Sequence, residues 1–111
     1  MARRPKPLSY NGALVLQAMA RGIGYGFEIM RVTGLPSGTV YPLLRRLEAG
    51  GLAQSHWEQD HELAGEGRPR RRYYETTSAG RVALAEGLER IRSQRRLLDG
   101  VAGDPAAPVT E

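Results

Sequence analysis

Leu14, Val15 and Ala18 fall on one face at helical spacing, which predicts a first helix over 9–21. Leu8 stands just before it as a hydrophobic staple, and Ser9 or Asn11 can cap its first turn. The run Gly22-Ile-Gly-Tyr-Gly26 stops it. Three alternate glycines invite comparison with a dinucleotide-binding loop. That loop follows a strand in a βαβ unit, whereas this run follows a helix, so it reads as a tight helix–helix turn. A short second helix is predicted over 25–32, with Phe27, Ile29 and Met30 available to a core, and Gly34 and Pro36 punctuate the next turn. In a third predicted helix, 37–49, Val40, Leu43, Leu44 and Leu47 sit at i, i+3, i+4 and i+7 as one apolar stripe. Gly50-Gly51 terminates it.

The pattern then changes. Residues 52–58 read as a strand carrying Trp57, 59–67 as a polar loop with Gly65 and Gly67, and 70–76 as a return strand built on Tyr73 and Tyr74. Alternation is poor on the return strand, where arginines and tyrosines run consecutively. Thr77-Ser78 caps a long final helix reaching about residue 98. Its Leu84, Leu88, Ile91 and Leu98 form a heptad-like seam broken by Arg95. Two partners suit that seam: a second copy of the chain, or the first three helices of its own. A helix so long beside so small a core favours the second copy. The remainder, 99–111, is rich in Gly, Pro and Ala without periodicity and reads as a disordered tail.

The fold class is therefore mainly α with a small β hairpin: a winged helix-turn-helix plus a C-terminal dimerisation helix. The expected division is a winged helix-turn-helix unit over 1–76, a dimerisation helix over 77–98 and a tail over 99–111.

Length and composition narrow the chemistry. A chain of 111 residues fits one domain. It has no cysteine, so disulfides, thiolate zinc sites and cysteine nucleophiles are excluded. The basic N-terminus is not followed by an apolar signal core, and no apolar run is long enough for a bilayer, so a cytoplasmic protein with no membrane partner is expected. Charge is uneven: residues 1–98 carry 16 basic against nine acidic side chains, and four of the bases lie in Arg68-Pro-Arg-Arg-Arg72. Such a run is either a solvated face or a polyanion-binding edge.

The third helix helps to decide. Opposite its stripe it presents Gly38, Tyr41, Pro42 and Arg45. Gly and Pro early in a helix cost stability, and a tyrosine on a solvent face adds little to a core. Such a face packs on another part of the fold or lies in a groove, and the groove is the preferred reading. A duplex major groove admits one helix.

The segment Ser37-Gly-Thr-Val-Tyr-Pro-Leu-Leu-Arg-Arg-Leu-Glu48 followed by Gly51-Leu52 resembles the recognition-helix signature of PadR-family transcriptional regulators. Gly67-Arg-Pro-Arg-Arg-Arg-Tyr-Tyr74 followed by Thr77-Ser-Ala-Gly-Arg81 is similar to that family's wing and last-helix start, and Tyr25-Gly-Phe-Glu-Ile29 to its second-helix motif. The family often has Ser-Pro before the Gly-Thr pair, where this chain has Pro36-Ser37, and a single final helix resembles its small subgroup. The resemblance implies a homodimeric repressor on a palindromic operator in double-stranded DNA. It also implies, for some members, an aromatic or lipophilic small-molecule effector at the dimer interface. With only two histidines, and a chain too small to offer a deep pocket, no enzymatic activity and no cofactor are expected.

The candidate DNA-binding residues are Ser37, Gly38, Thr39, Tyr41, Pro42, Arg45 and Arg46 on the third helix, Arg68 and Arg70 on the wing, and Lys6 near the N-terminus. Hydroxyls and free N–H groups at a helix start suit phosphates. Arg45 suits a guanine edge or a phosphate, and Arg46 either DNA or an acidic neighbour. Leu84, Leu88, Ile91 and Leu98 are the candidate dimerisation residues. His56 and His61, beside Glu58, Asp60 and Glu62, read as exposed polar wing residues rather than a metal site. Trp57 reads as filling the strand–helix core in preference to lining a ligand pocket. The competing function is a winged-helix module that docks on protein, for which an apolar patch in place of the arginines would be expected.

Overall fold

The computed structural model describes residues 7–59, 65 and 67–102. Lys6, Asp60, His61, Glu62 and the predicted tail beyond 102 lie outside them. The elements are α1 (Tyr10–Ala20), α2 (Gly26–Thr33), α3 (Ser37–Ala49), β1 (Ala53–Trp57), β2 (Arg72–Thr76) and α4 (Ser78–Ala102). The order is that of a winged helix: three helices, an antiparallel hairpin and a trailing helix. Ala53 faces Thr76, Ser55 faces Tyr74 and Trp57 faces Arg72 across the hairpin.

Local chemistry sets the boundaries. Ser9 caps α1, its Oγ accepting from the Gly12 N–H at 3.0 Å. Pro36 is the N-cap of α3, so the inverted Pro-Ser pair leaves the helix starting at Ser37. At the other end Gly51 is left-handed (φ 77°). The Leu52 N–H reaches the Leu47 carbonyl at 2.9 Å and the Gly51 N–H the Glu48 carbonyl at 3.0 Å, a Schellman closure. Leu16, Ile29, Leu44, Val15 and Val40 are fully buried at the centre, joined by Leu43 and Leu47, so the α3 stripe is core.

The glycine run after α1 is more than a turn. The Gly24 carbonyl accepts from the Tyr74 N–H at 2.9 Å, and Tyr25 bridges Tyr73, so the run pairs with β2. A Cβ on Gly24 would lie 2.4 Å from the Tyr74 carbonyl oxygen, so this approach demands glycine.

Three expectations are corrected. Phe27 is 59% exposed. It stands two residues before Ile29, about 200° around the helix, so with Ile29 inward it points out. Leu84 is buried in the protein's own core, and Leu88 and Ile91 pack half-buried against it. The seam's first half therefore folds back beside α1, because α4 runs along the domain before leaving it. Only Leu98, 68% exposed, is fully open. Finally, α4 continues through Asp99, Gly100, Val101 and Ala102, past the expected boundary at 98.

Candidate nucleic-acid interface

Burial of Val40, Leu43, Leu44 and Leu47 turns the other side of α3 outward. Ser37, Gly38, Tyr41, Arg45 and Arg46 are exposed there, with Thr39 and Pro42 half-exposed. The helix start carries no side-chain cap, so Ser37 and Gly38 keep their backbone donors uncommitted to one. A Cβ on Gly38 would meet open space, so nothing in the chain's own packing calls for glycine there. Arg45 and Arg46 form no ion pair among the described residues, which leaves Arg46 without the acidic partner it was equally suited to. Tyr41 is placed by α2: a Cβ on Gly26 would come within 2.7 Å of its ring.

The hairpin is tied to this helix. Ser55 Oγ donates to Glu48, Arg72 Nη2 lies 3.3 Å from the same carboxylate, and Arg72 Nε donates to Ser55 Oγ at 3.0 Å. These contacts join the α3 end to the wing. Trp57 does not fill the core as expected. It is 54% exposed because its face of β1 extends past the helices, with the Arg72 guanidinium 5.5 Å from its ring.

The wing's base is organised around Glu58, which the sequence places among exposed polar wing residues and the structure buries. It is only 3% exposed. Arg68 donates to both its oxygens, at 2.6 and 2.8 Å, the Arg71 N–H to Oε1 at 3.3 Å, and Tyr73 Oη to Oε2 at 3.4 Å. Arg70 Nη1 donates to its main-chain carbonyl at 2.7 Å. Arg68 and Arg70, expected on phosphates, are therefore both engaged inside the wing. The one available signal is an acid at the strand end, in register with the arginine run.

Arg68's paired hydrogen bonds hold the Glu58 carboxyl well below its usual 4.5, at about 2, against the opposing effect of burial. A carboxyl with a depressed folded-state pKa stabilises the fold above its unfolded pKa and ceases to do so as pH falls through the folded one. Melting temperature should therefore drop as pH falls from about 4.5 to 2, and Glu58→Gln should flatten the drop in that window. An identical pH profile in thermal unfolding of the two proteins would remove Glu58 from the account.

Among the described residues no group of three His, Cys, Asp or Glu side chains could hold a metal, and no helix is long and apolar enough to cross a membrane.

Three helices, a hairpin tied to the third of them, and an outward helix face bearing hydroxyls and arginines define a winged helix-turn-helix protein. The model of the transcriptional regulator PadR-like family matches residues 15–86, and the chain belongs to that family. It is similar to the crystal structure of a PadR family transcription regulator from hypervirulent Clostridium difficile R20291, at 26% identity over 86% of this chain and 100% of that one, TM-score 0.74. A PadR family regulator from Eggerthella lenta DSM 2243 is 30% identical over 87% of this chain and 82% of that one, TM-score 0.60. A Streptococcus mutans UA159 structure shares the fold, at 22% identity over 96% of this chain and 100% of that one, TM-score 0.74. No curated protein matches the chain.

Proposed function

We propose that the protein is a homodimeric repressor that reads a palindromic operator in double-stranded DNA. Each α3 enters a major groove and each wing meets the flanking backbone or minor groove. The observation that carries this reading is Gly38. Gly38 is the second residue of α3, where glycine is still a poorer helix former than alanine, and no neighbour in the chain requires it. A close-fitting external surface explains it, and the hydroxyls, Tyr41, Pro42 and arginines on the same face suit a phosphate-lined groove. In this reading Ser37 and Thr39 bond phosphates with the helix's free N–H groups, Arg45 reaches a base edge or phosphate, and Arg46 and Lys6 add attraction. Repression, and relief by an aromatic or lipophilic effector between two α4 helices, rest on the family resemblance.

The second copy is assigned to the far end of α4. A helix of 25 residues runs about 37 Å, and its end exposes Leu97, Leu98 and Val101. Half-buried Leu88 and Ile91 border a cavity of about 210 Å³ with Tyr10 and Leu14, extending the apolar strip. Leu98→Arg should sediment as a folded monomer and bind a duplex with two half-sites far more weakly than wild type. Leu88 is a poorer probe, because an arginine there also disturbs the α1 contact. A Leu98→Arg protein that remains dimeric contradicts this assignment. Binding by the wild type should also fall steeply with salt, with a slope of about −0.9 per phosphate neutralised.

A further inference from the structure

Four arginines in five residues should repel one another and splay the hairpin. Instead the strands stay in register to their ends: the Glu58 N–H donates to the Arg71 carbonyl at 2.8 Å just beyond the last ladder pair. The one buried acid of the described residues sits at the centre of this crowd. Its side chain accepts Arg68 in a bidentate fork and the Arg71 N–H, while its main chain holds Arg70. Arg71, its backbone anchored there, lays its guanidinium over the Tyr25 ring at 4.5 Å, against the loop that pairs with β2. One carboxylate therefore joins the start of the wing to its return.

We propose that Glu58 is a positioning residue for DNA binding, with Arg68 as its strut: the pair holds the wing at the angle from which its solvent-exposed residues, Arg70 and Arg72 among them, meet the duplex. Arg68 acts from inside the wing, and Glu58 aids the binding of a polyanion although its own charge is negative. The inference rests on the DNA-binding reading above.

The sign of one substitution separates this from simple electrostatics. Removing a negative charge from a DNA-binding surface should tighten binding. Glu58→Gln should instead weaken it, by roughly 10-fold, and shrink the salt slope by about 1 for each phosphate the wing no longer neutralises. The readout is fluorescence anisotropy of a labelled duplex from the protein's own promoter, over a salt series, with thermal unfolding confirming that each variant is folded. A smaller folded fraction would lower apparent affinity without altering the slope. Arg68→Gln should reproduce the effect, and the double variant should bind no worse than either single one, since both remove the same clamp. Arg68→Lys should not restore binding, because an ammonium cannot form the fork. Trp57, the chain's one tryptophan and Glu58's neighbour, gives a second readout without DNA: acrylamide quenching of its emission should change in Glu58→Gln.

If wild type binds the duplex and Glu58→Gln binds as tightly or more tightly with the same slope, Glu58 is only a buried counter-charge and the proposal fails. Additive effects in the double variant, or unchanged Trp57 quenching, also overturn it. A wild type that binds no duplex at any salt brings down the DNA reading itself, and the proposal with it.

Discussion

Arg45→Ala is expected to lower affinity for the target duplex by about 10- to 100-fold, the effect of roughly 1–3 kcal/mol for removing a hydrogen-bonded base or phosphate partner. Its melting temperature should scarcely move. The side chain is exposed and makes no ion pair among the described residues, so the fold loses nothing when it is truncated. Such surface changes usually stay within about 0.5 kcal/mol. Gly38→Ala sharpens the test by splitting the two properties in opposite directions. It should stabilise the protein slightly, by less than the roughly 0.5–1 kcal/mol of a mid-helix site, because a first-turn glycine is replaced where a Cβ meets open space. It should also weaken duplex binding, because that Cβ would occupy the closest approach to the groove. Tyr41→Ala is less clean, since the Tyr41 ring covers Gly26 and its loss also leaves a gap over α2. Tyr41→Phe isolates the hydroxyl. Wild-type affinity in both Arg45→Ala and Gly38→Ala would remove α3 from the interface.

The second large effect is on stability. Gly80→Ala should destabilise the domain by about 3 kcal/mol or more, at the upper end of overpacking costs, and lower the melting temperature by on the order of 10–20 °C. A Cβ on Gly80 would stand 2.0 Å from the Leu52 carbonyl oxygen and 2.7 Å from Thr76 Cγ2. That carbonyl already accepts the Thr77 N–H at 3.1 Å. Thr77 Oγ1 meanwhile donates to the Gly51 carbonyl at 2.7 Å and accepts the Gly80 N–H at 3.0 Å as the α4 cap. Moving α4 away to admit one methyl group would break the joint where α3's end, β1 and α4 meet. The obstacle is backbone, which cannot yield as a flexible side chain can. Thermal unfolding of the variant checks this, and a melting temperature within a few degrees of wild type would show the joint to be pliable.

The elements were legible in the sequence wherever one period and one set of punctuating residues agreed. Val40, Leu43, Leu44 and Leu47 announce the inner face of α3, and by exclusion the outer one. Thr77 declares the start of α4 before any contact is known. What depends on a partner far along the chain was not legible. Gly24 and Gly80 look like ordinary turn and helix glycines until Tyr74 and Leu52 are brought against them. Phe27 and Trp57 read as inward because aromatic bulk signals apolar surface, but bulk does not say which way a short helix or a projecting strand is turned. The α4 seam shows the same limit: its spacing identifies a stripe, and only packing shows that Leu84 belongs to the core while Leu98 is left open. Glu58 reads as an exposed loop-side acid in the sequence because its importance lies in three arginines that follow it after a loop.

The central claim is that α3 carries its glycine, hydroxyl and arginine face into a duplex groove, twice over in one dimer. Selection of bound fragments from a pool of random duplex DNA by the purified protein tests it most directly. The account predicts enrichment of a palindromic motif whose half-sites are separated by about one helical turn, roughly 34–36 Å. A bound pool no richer in any sequence than the starting pool would contradict it.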